Sequence, residues 1–200
     1  QPHSQLPFLG GALGYLSYDL GRRFEKIPTI TKQDINLPEM AMGFYNKAIV
    51  FDKTSQEFFL ICENKQRNTL EEMFETLTNK PVQNNNKFQL NSVWQANMSK
   101  ANYIKKFDQV QEYLLSGDCY QINLAQRFSA DYQGDEFEAY LALRAANKAP
   151  FSAFIRLENE AILSVSPERF LKLSAGKVQS KPIKGTMPRS TNAVKDAENA

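Results

Sequence analysis

Residues 164–189 read SVSPERFLKLSAGKVQSKPIKGTMPR, with apolar residues on either side of a small dipeptide, Ala175-Gly176. Two such runs joined by small residues predict two strands linked by a short turn. That hairpin brings Ser166-Pro167-Glu168, on the first strand, and the Pro182-Ile183-Lys184-Gly185-Thr186 turn, after the second, to the same end of a sheet. A carboxylate, Glu168, then faces an amine, Lys184. An acid/base group opposite a nucleophile is the pairing on which the functional reading turns.

Lys184 sits in a stiff setting. Pro182 restricts φ ahead of it, and Gly185 permits close backbone approach or positive φ behind it. Lys177, Lys181 and Arg189 surround it in sequence, so the locality is positive and suits an anionic small molecule. Like-charge repulsion from these neighbours lowers an amine's pKa. The shift matters, because a lysine at its ordinary value of about 10.4 is well under ~0.1% neutral at pH 7, and a nucleophilic lysine must be neutral. Local sequence alone also allows a solvated lysine in a basic loop, and a salt-bridged strand-end carboxylate at Glu168. The order Lys-Gly-Thr is not Gly-Lys-Thr, which rejects a phosphate-binding P-loop.

Working outward, Phe8–Leu20 is apolar with three glycines, as expected of a buried strand closely approached by other backbone. Gly10, Gly11 and Gly14 make no dinucleotide fingerprint, since no helical pattern follows. Residues 21–39 are a polar loop. Ala41–Asp52 and Glu57–Glu63 flank Lys53–Gln56, a hairpin pattern. Thr69–Thr78 reads as an amphipathic helix with Thr69 and Glu72 as a capping box and Leu70, Met73, Phe74 and Leu77 on its apolar side. Residues 80–92 form a polar, flexible connector. Ser99 caps a longer helix ending at Gly117, with Tyr103, Phe107, Val110 and Leu114 facing inward. Cys119–Phe128 alternates as a strand, its second face carrying Gln121, Asn123 and Arg127, either wet or lining a polar cavity. Asp135 and Glu138 open a third helix, with Phe137, Tyr140 and Leu141 inward, ending before Pro150. Phe151–Leu157 and Ala161–Val165 form a further hairpin. Strands and helices do not alternate regularly, so the expected class is α+β with mostly antiparallel sheet.

Composition excludes several functions. The chain has 200 residues, 42% apolar and 23% charged, with a net charge of +2. Its basic residues are scattered, which disfavours nucleic acid as the main partner. No apolar run reaches the ~18 residues of a membrane span, and no leader pattern is present. Cys62 and Cys119 make no framework and read as buried thiols of a reducing, cytoplasmic setting. His3 is the single histidine, which leaves no room here for a histidine triad or a multi-histidine zinc site. Both ends read as cut from a longer protein.

Five stretches carry a resemblance: Gly-Tyr-Leu-Ser-Tyr-Asp (14–19), Gly-Asp-Cys-Tyr-Gln-Ile-Asn-Leu (117–124), Ala-Pro-Phe-Ser-Ala-Phe (149–154), Ser-Pro-Glu-Arg-Phe (166–170) and Pro-Ile-Lys-Gly-Thr-Met-Pro-Arg (182–189). In this order they resemble the chorismate-utilising enzymes, among them anthranilate synthase component I and isochorismate synthases, over nearly the whole chain. The resemblance implies antiparallel sheets packed as a sandwich with helices outside, of which these residues are a truncated portion of one catalytic domain. The lysine at 184, where anthranilate synthases typically carry alanine, resembles the branch of the family that aminates chorismate at C4 on the way to p-aminobenzoate and folate. By resemblance, Lys184 attacks C2 of chorismate and Glu168 is the general acid/base, while Gly185 and Thr186 bind a substrate carboxylate. Ammonia comes from a glutamine amidotransferase partner. Mg²⁺ holds the substrate through ligands expected beyond residue 200, which leaves the activity of these residues alone open. Pro150, Phe151 and Ser152 are candidates for contact with a bound tryptophan, or else a plain strand start. The alternatives are a sibling enzyme, anthranilate or isochorismate synthase, and a non-catalytic amino-acid-binding module.

Overall fold

The computed structural model describes residues 6–30, 33–79, 86–183 and 190–198. Among them are twelve strands and four α-helices, the strands paired as six two-stranded antiparallel sheets. The α+β, antiparallel class expected from the sequence is therefore the one observed. The chain divides into two compact units, Gln1–Gln83 with Leu157–Glu160, and Asn84–Arg156 with Ala161–Ala200.

In the first unit, β1 (Gly11–Leu16) pairs with β2 (Met40–Tyr45), from Gly11 opposite Tyr45 to Leu16 opposite Met40. The connection is fastened at its base, where Tyr15 Oη donates to the Pro38 carbonyl at 2.7 Å and the Ser17 N–H donates to the Glu39 carbonyl at 2.7 Å. A 3₁₀ turn, Tyr18–Arg23, replaces the end of the expected strand and the start of the expected loop. Close backbone approach, expected of this glycine-rich stretch, occurs at Gly14, where a Cβ would lie 1.9 Å from the Ala41 carbonyl oxygen. Full burial does not occur: Leu13 and Leu16 are exposed. In the complete protein, Gly14→Ala is expected to cost about 3 kcal/mol by overpacking the ladder. The urea midpoint measures it, and an unmoved midpoint would show that the two strands can separate freely.

β3 (Lys47–Asp52) and β4 (Glu57–Cys62) form the hairpin expected around 53–56. Asp52 Oδ1 accepts the Thr54 N–H at 2.7 Å, an Asx turn that fixes the loop. α1 (Arg67–Asn79) packs on β4, with Leu70 only 1% exposed and the Phe58 and Phe74 rings 5.2 Å apart. The helix starts two residues before Thr69, so the expected capping box is absent. A 3₁₀ turn at Asn64–Gln66 leads into it, and Arg67 pairs with Glu71 at 2.9 Å. Met73 and Leu77, expected inside, are exposed.

The second unit begins within the expected connector: residues 80–85 lie outside the described residues, and 89–90 form a strand. β5 (Gln89–Leu90), β6 (Gln95–Ala96), β7 (Phe128–Ser129) and β8 (Tyr132–Gln133) make two short ladders, β5 with β8 and β6 with β7. Between them α2 (Lys100–Ser116) runs as the sequence predicts: Ser99 Oγ accepts the Asn102 N–H, and Gly117 closes the helix at φ 81°. Its inward face is only half-buried at Tyr103, Val110 and Leu114, and Phe107 is exposed. Residues 119–127 are not a strand. Their alternation finds no partner ladder among the described residues, Tyr120 is fully exposed, and Gln121 donates to Asn123 along its own chain at 3.3 Å. Cys62 and Cys119 are free and half-buried, rather than buried as expected.

α3 (Glu136–Asn147) is capped by Asp135, whose Oδ1 accepts the Phe137 N–H at 3.0 Å. It lies on the hairpin of β9 (Phe151–Arg156) and β10 (Ala161–Ser166), where Tyr140, 8% exposed, meets Phe154 at 5.6 Å and Phe137 meets the same ring at 5.1 Å. The helix start is tied electrostatically. Arg156 pairs with Asp135 and Glu136, and the Tyr132 hydroxyl donates to Glu136 Oε1. The bond to Tyr132 holds the Glu136 carboxyl below the usual carboxylate range and pushes the Tyr132 hydroxyl up. A carboxyl that is more acidic folded than unfolded contributes stability above the ordinary carboxylate range and loses it as pH falls through the folded value. Tyr132→Phe is expected to cost the complete protein about 0.5 kcal/mol at pH 7, the low end for an exposed bond to a charged group. In thermal melts the gap from wild type should close under acid. A gap independent of pH would exclude Glu136 as its cause.

β11 (Arg169–Ser174) and β12 (Lys177–Lys181) follow, then a short helix, α4 (Ala193–Glu198), begun by Asn192 Oδ1 accepting the Val194 N–H at 3.0 Å.

Candidate active site

The β11–β12 hairpin turns on two residues, Ala175 at φ 48° and Gly176 at φ 72°. Two left-handed residues in a two-residue loop match the right-handed twist of the flanking strands. From that turn the ladder runs Ser174 opposite Lys177, Leu173 opposite Val178 and Lys172 opposite Gln179, and then slips by one residue to place Arg169 opposite Lys181. The slip is a β-bulge at Phe170-Leu171, a device that re-aims side chains beside it. The Glu168 and Pro182 ends leave the ladder together, as the hairpin expectation requires.

Glu168 is half-buried and held at three points. Its Oε1 accepts the backbone N–H of Ile183 at 2.7 Å. Its own N–H donates to Ser166 Oγ at 3.2 Å, and Ser166 Oγ donates to its carbonyl at 3.1 Å. Pro167 stiffens the chain between these bonds. The carboxylate is thus anchored to the residue immediately before Lys184. Lys184, Gly185, Thr186 and Arg189 themselves lie outside the described residues. Lys177 and Lys181 are exposed on β12 and alternate with Val178 and Ser180, so they share one face with Lys172 and Arg169 across the ladder. That face is basic, in keeping with an anionic ligand nearby.

Phe151 and Ser152 start β9, and Pro150 immediately precedes it. Ser152 Oγ donates to the Ala149 carbonyl at 2.9 Å, and Phe151 lies opposite Ser166 in the β9–β10 ladder. Phe151 is therefore brought beside the Glu168 segment. Gln121 and Asn123 are exposed on the non-strand stretch 119–127, and the Arg127 N–H donates to Asn97 Oδ1 at 3.1 Å.

Two residues that the sequence reading did not single out belong to this place. Ser166 holds the backbone of Glu168. The Arg169 guanidinium carbon lies 4.9 Å from the centroid of the Phe151 ring, and its Nη1 donates to Gln179 Oε1 at 2.7 Å. Their signal in the sequence was membership of the Ser-Pro-Glu-Arg-Phe stretch around Glu168. No three His, Cys, Asp or Glu side chains converge among the described residues, so none of them is assigned to a metal, and no helix among them is long and apolar enough to cross a membrane.

The geometry describes a carboxylate bonded to the backbone of Ile183, the residue that precedes Lys184, on the edge of a basic sheet face. Comparison with known proteins gives it a family. The sequence model described as chorismate binding enzyme matches residues 1–200. The chain is 52% identical over 197 residues to aminodeoxychorismate synthase component 1 of Klebsiella aerogenes, covering 98% of this chain and 43% of that protein. To the protein of the same name from Escherichia coli strain K12 it is 50% identical, over 99% of this chain and 43% of the relative. Anthranilate synthase component 1 of Lactococcus lactis is 29% identical, over 96% of this chain and 44% of its own length. Among solved structures, anthranilate synthase component I from Streptococcus pneumoniae TIGR4 superposes with a TM-score of 0.78 at 26% identity, over 89% of this chain and 43% of that one. The chain thus spans less than half the length of the relatives it matches.

Proposed function

The chain belongs to the chorismate binding enzyme family, and on that premise we propose that the complete protein aminates chorismate at C4 to give 4-amino-4-deoxychorismate, a precursor of p-aminobenzoate and folate. The Lys184 amine adds at C2, and Glu168 donates a proton to the C4 hydroxyl, which leaves as water. Ammonia then adds at C4, the lysine leaves C2 with its electron pair, and Glu168 takes up the proton shed by the new amine. Chorismate and ammonia become 4-amino-4-deoxychorismate and water, with the enzyme restored. Gly185 and Thr186 bind a substrate carboxylate through backbone N–H or hydroxyl. Residues 1–200 are part of one catalytic domain.

The observation that carries this reading is the 2.7 Å bond from the Ile183 N–H to Glu168 Oε1, which keeps an acid/base carboxylate beside the residue preceding Lys184. The name component 1, borne by the relatives at 50% and 52% identity, implies a second component. For this protein it is a glutamine amidotransferase that supplies the ammonia. Mg²⁺ belongs to the complete protein; its ligands lie beyond residue 200, and no step above passes through it. Pro150, Phe151 and Ser152 would contact a bound tryptophan. The setting is the cytoplasm.

The test is product identity. Complete protein incubated with chorismate, ammonium and Mg²⁺ should release a product that aromatises to an amine para to the carboxyl. An ortho amine would place the protein with the anthranilate synthases. Binding of tryptophan by calorimetry with no turnover of chorismate would make it a non-catalytic module.

A further inference from the structure

We propose that Arg169 is a positioning residue that sets the direction of the Glu168 carboxylate, an inference that rests on the acid/base reading of Glu168. No ladder joins β10 to β11 among the described residues. The Ser166-Pro167-Glu168 link by itself would let the β11–β12 hairpin swing on the β9–β10 hairpin, and the carboxylate would swing with it. Arg169 spans that joint. Its guanidinium packs over the Phe151 ring of β9 and donates to Gln179 of β12. Phe151 is also the ladder partner of Ser166, whose hydroxyl holds Glu168.

The contacts close a ring: Phe151 to Ser166 across the ladder, Ser166 to Glu168 by hydrogen bonds, Glu168 to Arg169 through the chain, and Arg169 back to Phe151. The bulge at Phe170-Leu171 makes the ring possible, because the slipped register puts Arg169 on the same face as Gln179. The side-chain type matters as well. A guanidinium lies flat on an aromatic ring while its edge donates to an amide oxygen, and an ammonium does these two things less well at once.

The experiment measures steady-state amination by the complete protein across pH, with chorismate and ammonium as substrates, for Arg169→Met, Arg169→Lys and Gln179→Leu. Displacing a catalytic group by about 1 Å costs on the order of 100-fold. Arg169→Met is therefore expected to lose about 10- to 100-fold in kcat with KM for chorismate within about threefold, and to displace the pH–kcat profile. Arg169→Lys should recover part of the loss. Gln179→Leu, on an exposed strand, should lose less than Arg169→Met, and it carries the test should Arg169→Met fail to fold. A merely structural arginine would lower activity only in step with the folded fraction and leave the pH profile in place. That result, or an unchanged kcat, overturns the proposal. Glu168→Gln assayed alongside separates the two readings: an active Glu168→Gln removes the acid/base assignment, whereas an inactive one beside a fully active Arg169→Met overturns the positioning role alone.

Discussion

Glu168→Gln in the complete protein is expected to slow formation of 4-amino-4-deoxychorismate by about 100- to 10,000-fold, the range that a positioned general acid/base supplies. The substitution keeps shape and replaces the ionisable carboxyl with a neutral amide. A glutamine Oε1 still accepts the Ile183 N–H that Glu168 accepts at 2.7 Å, so the local fold should hold. Thermal melting near the wild-type temperature would verify this. Glu168→Asp is the sharper companion, since it keeps the acid but withdraws it by one methylene from both Ile183 and the substrate. Its rate should fall between those of wild type and Glu168→Gln. A Glu168→Gln enzyme within about threefold of wild type at saturating ammonium would leave the carboxylate as a structural anchor for the turn.

Lys184→Ala should be at least as severe for C4 amination, with a loss of about 1,000-fold or more, because it removes the covalent route altogether. Without the amine, ammonia has only direct attack left to it, and residual product should carry nitrogen at C2. Intact-mass spectrometry of the quenched wild-type enzyme should show an adduct that the alanine variant lacks. An unchanged rate with unchanged product would remove the nucleophile from the mechanism, and Glu168 would then need another partner.

Much of the fold was legible because short-range chemistry dictates it. Ala175-Gly176 between alternating runs forms a tight turn, Ser99 and Gly117 bracket a helix, and Lys53–Gln56 closes a hairpin, each from local torsional and capping preferences. What failed depended on partners distant in sequence. Residues 119–127 alternate as a strand does, yet alternation supplies a face and no ladder, and no strand is formed by them among the described residues. Thr69 had the right neighbours for a capping box, but the chain was already helical from Arg67. Leu13 and Leu16 were expected inside on hydrophobicity alone and are exposed.

The site divides in the same way. Glu168 was placed at the hairpin's open end by its motif, and its contact with Ile183, the residue before Lys184, followed from hairpin geometry. The chemistry assigned to the pair came from resemblance to a family, since spacing by itself also allowed a solvated lysine and a paired carboxylate. Arg169 was not legible, because a basic residue at the start of a strand ordinarily points to solvent. Only the slip in register, invisible in the sequence, turns it toward Gln179.

That slip also bears on how the gene can vary. A residue gained or lost in the Lys53–Gln56 loop changes a surface connection and little else. Deleting Phe170 or Leu171 would restore an unbroken ladder with Arg169 still opposite Lys181, but it would remove the bend and added twist with which the bulge aims Arg169 and Glu168. Length changes between the serine-proline-glutamate motif and the tight turn should therefore be purged among active descendants, even where substitutions at the same two positions are accepted.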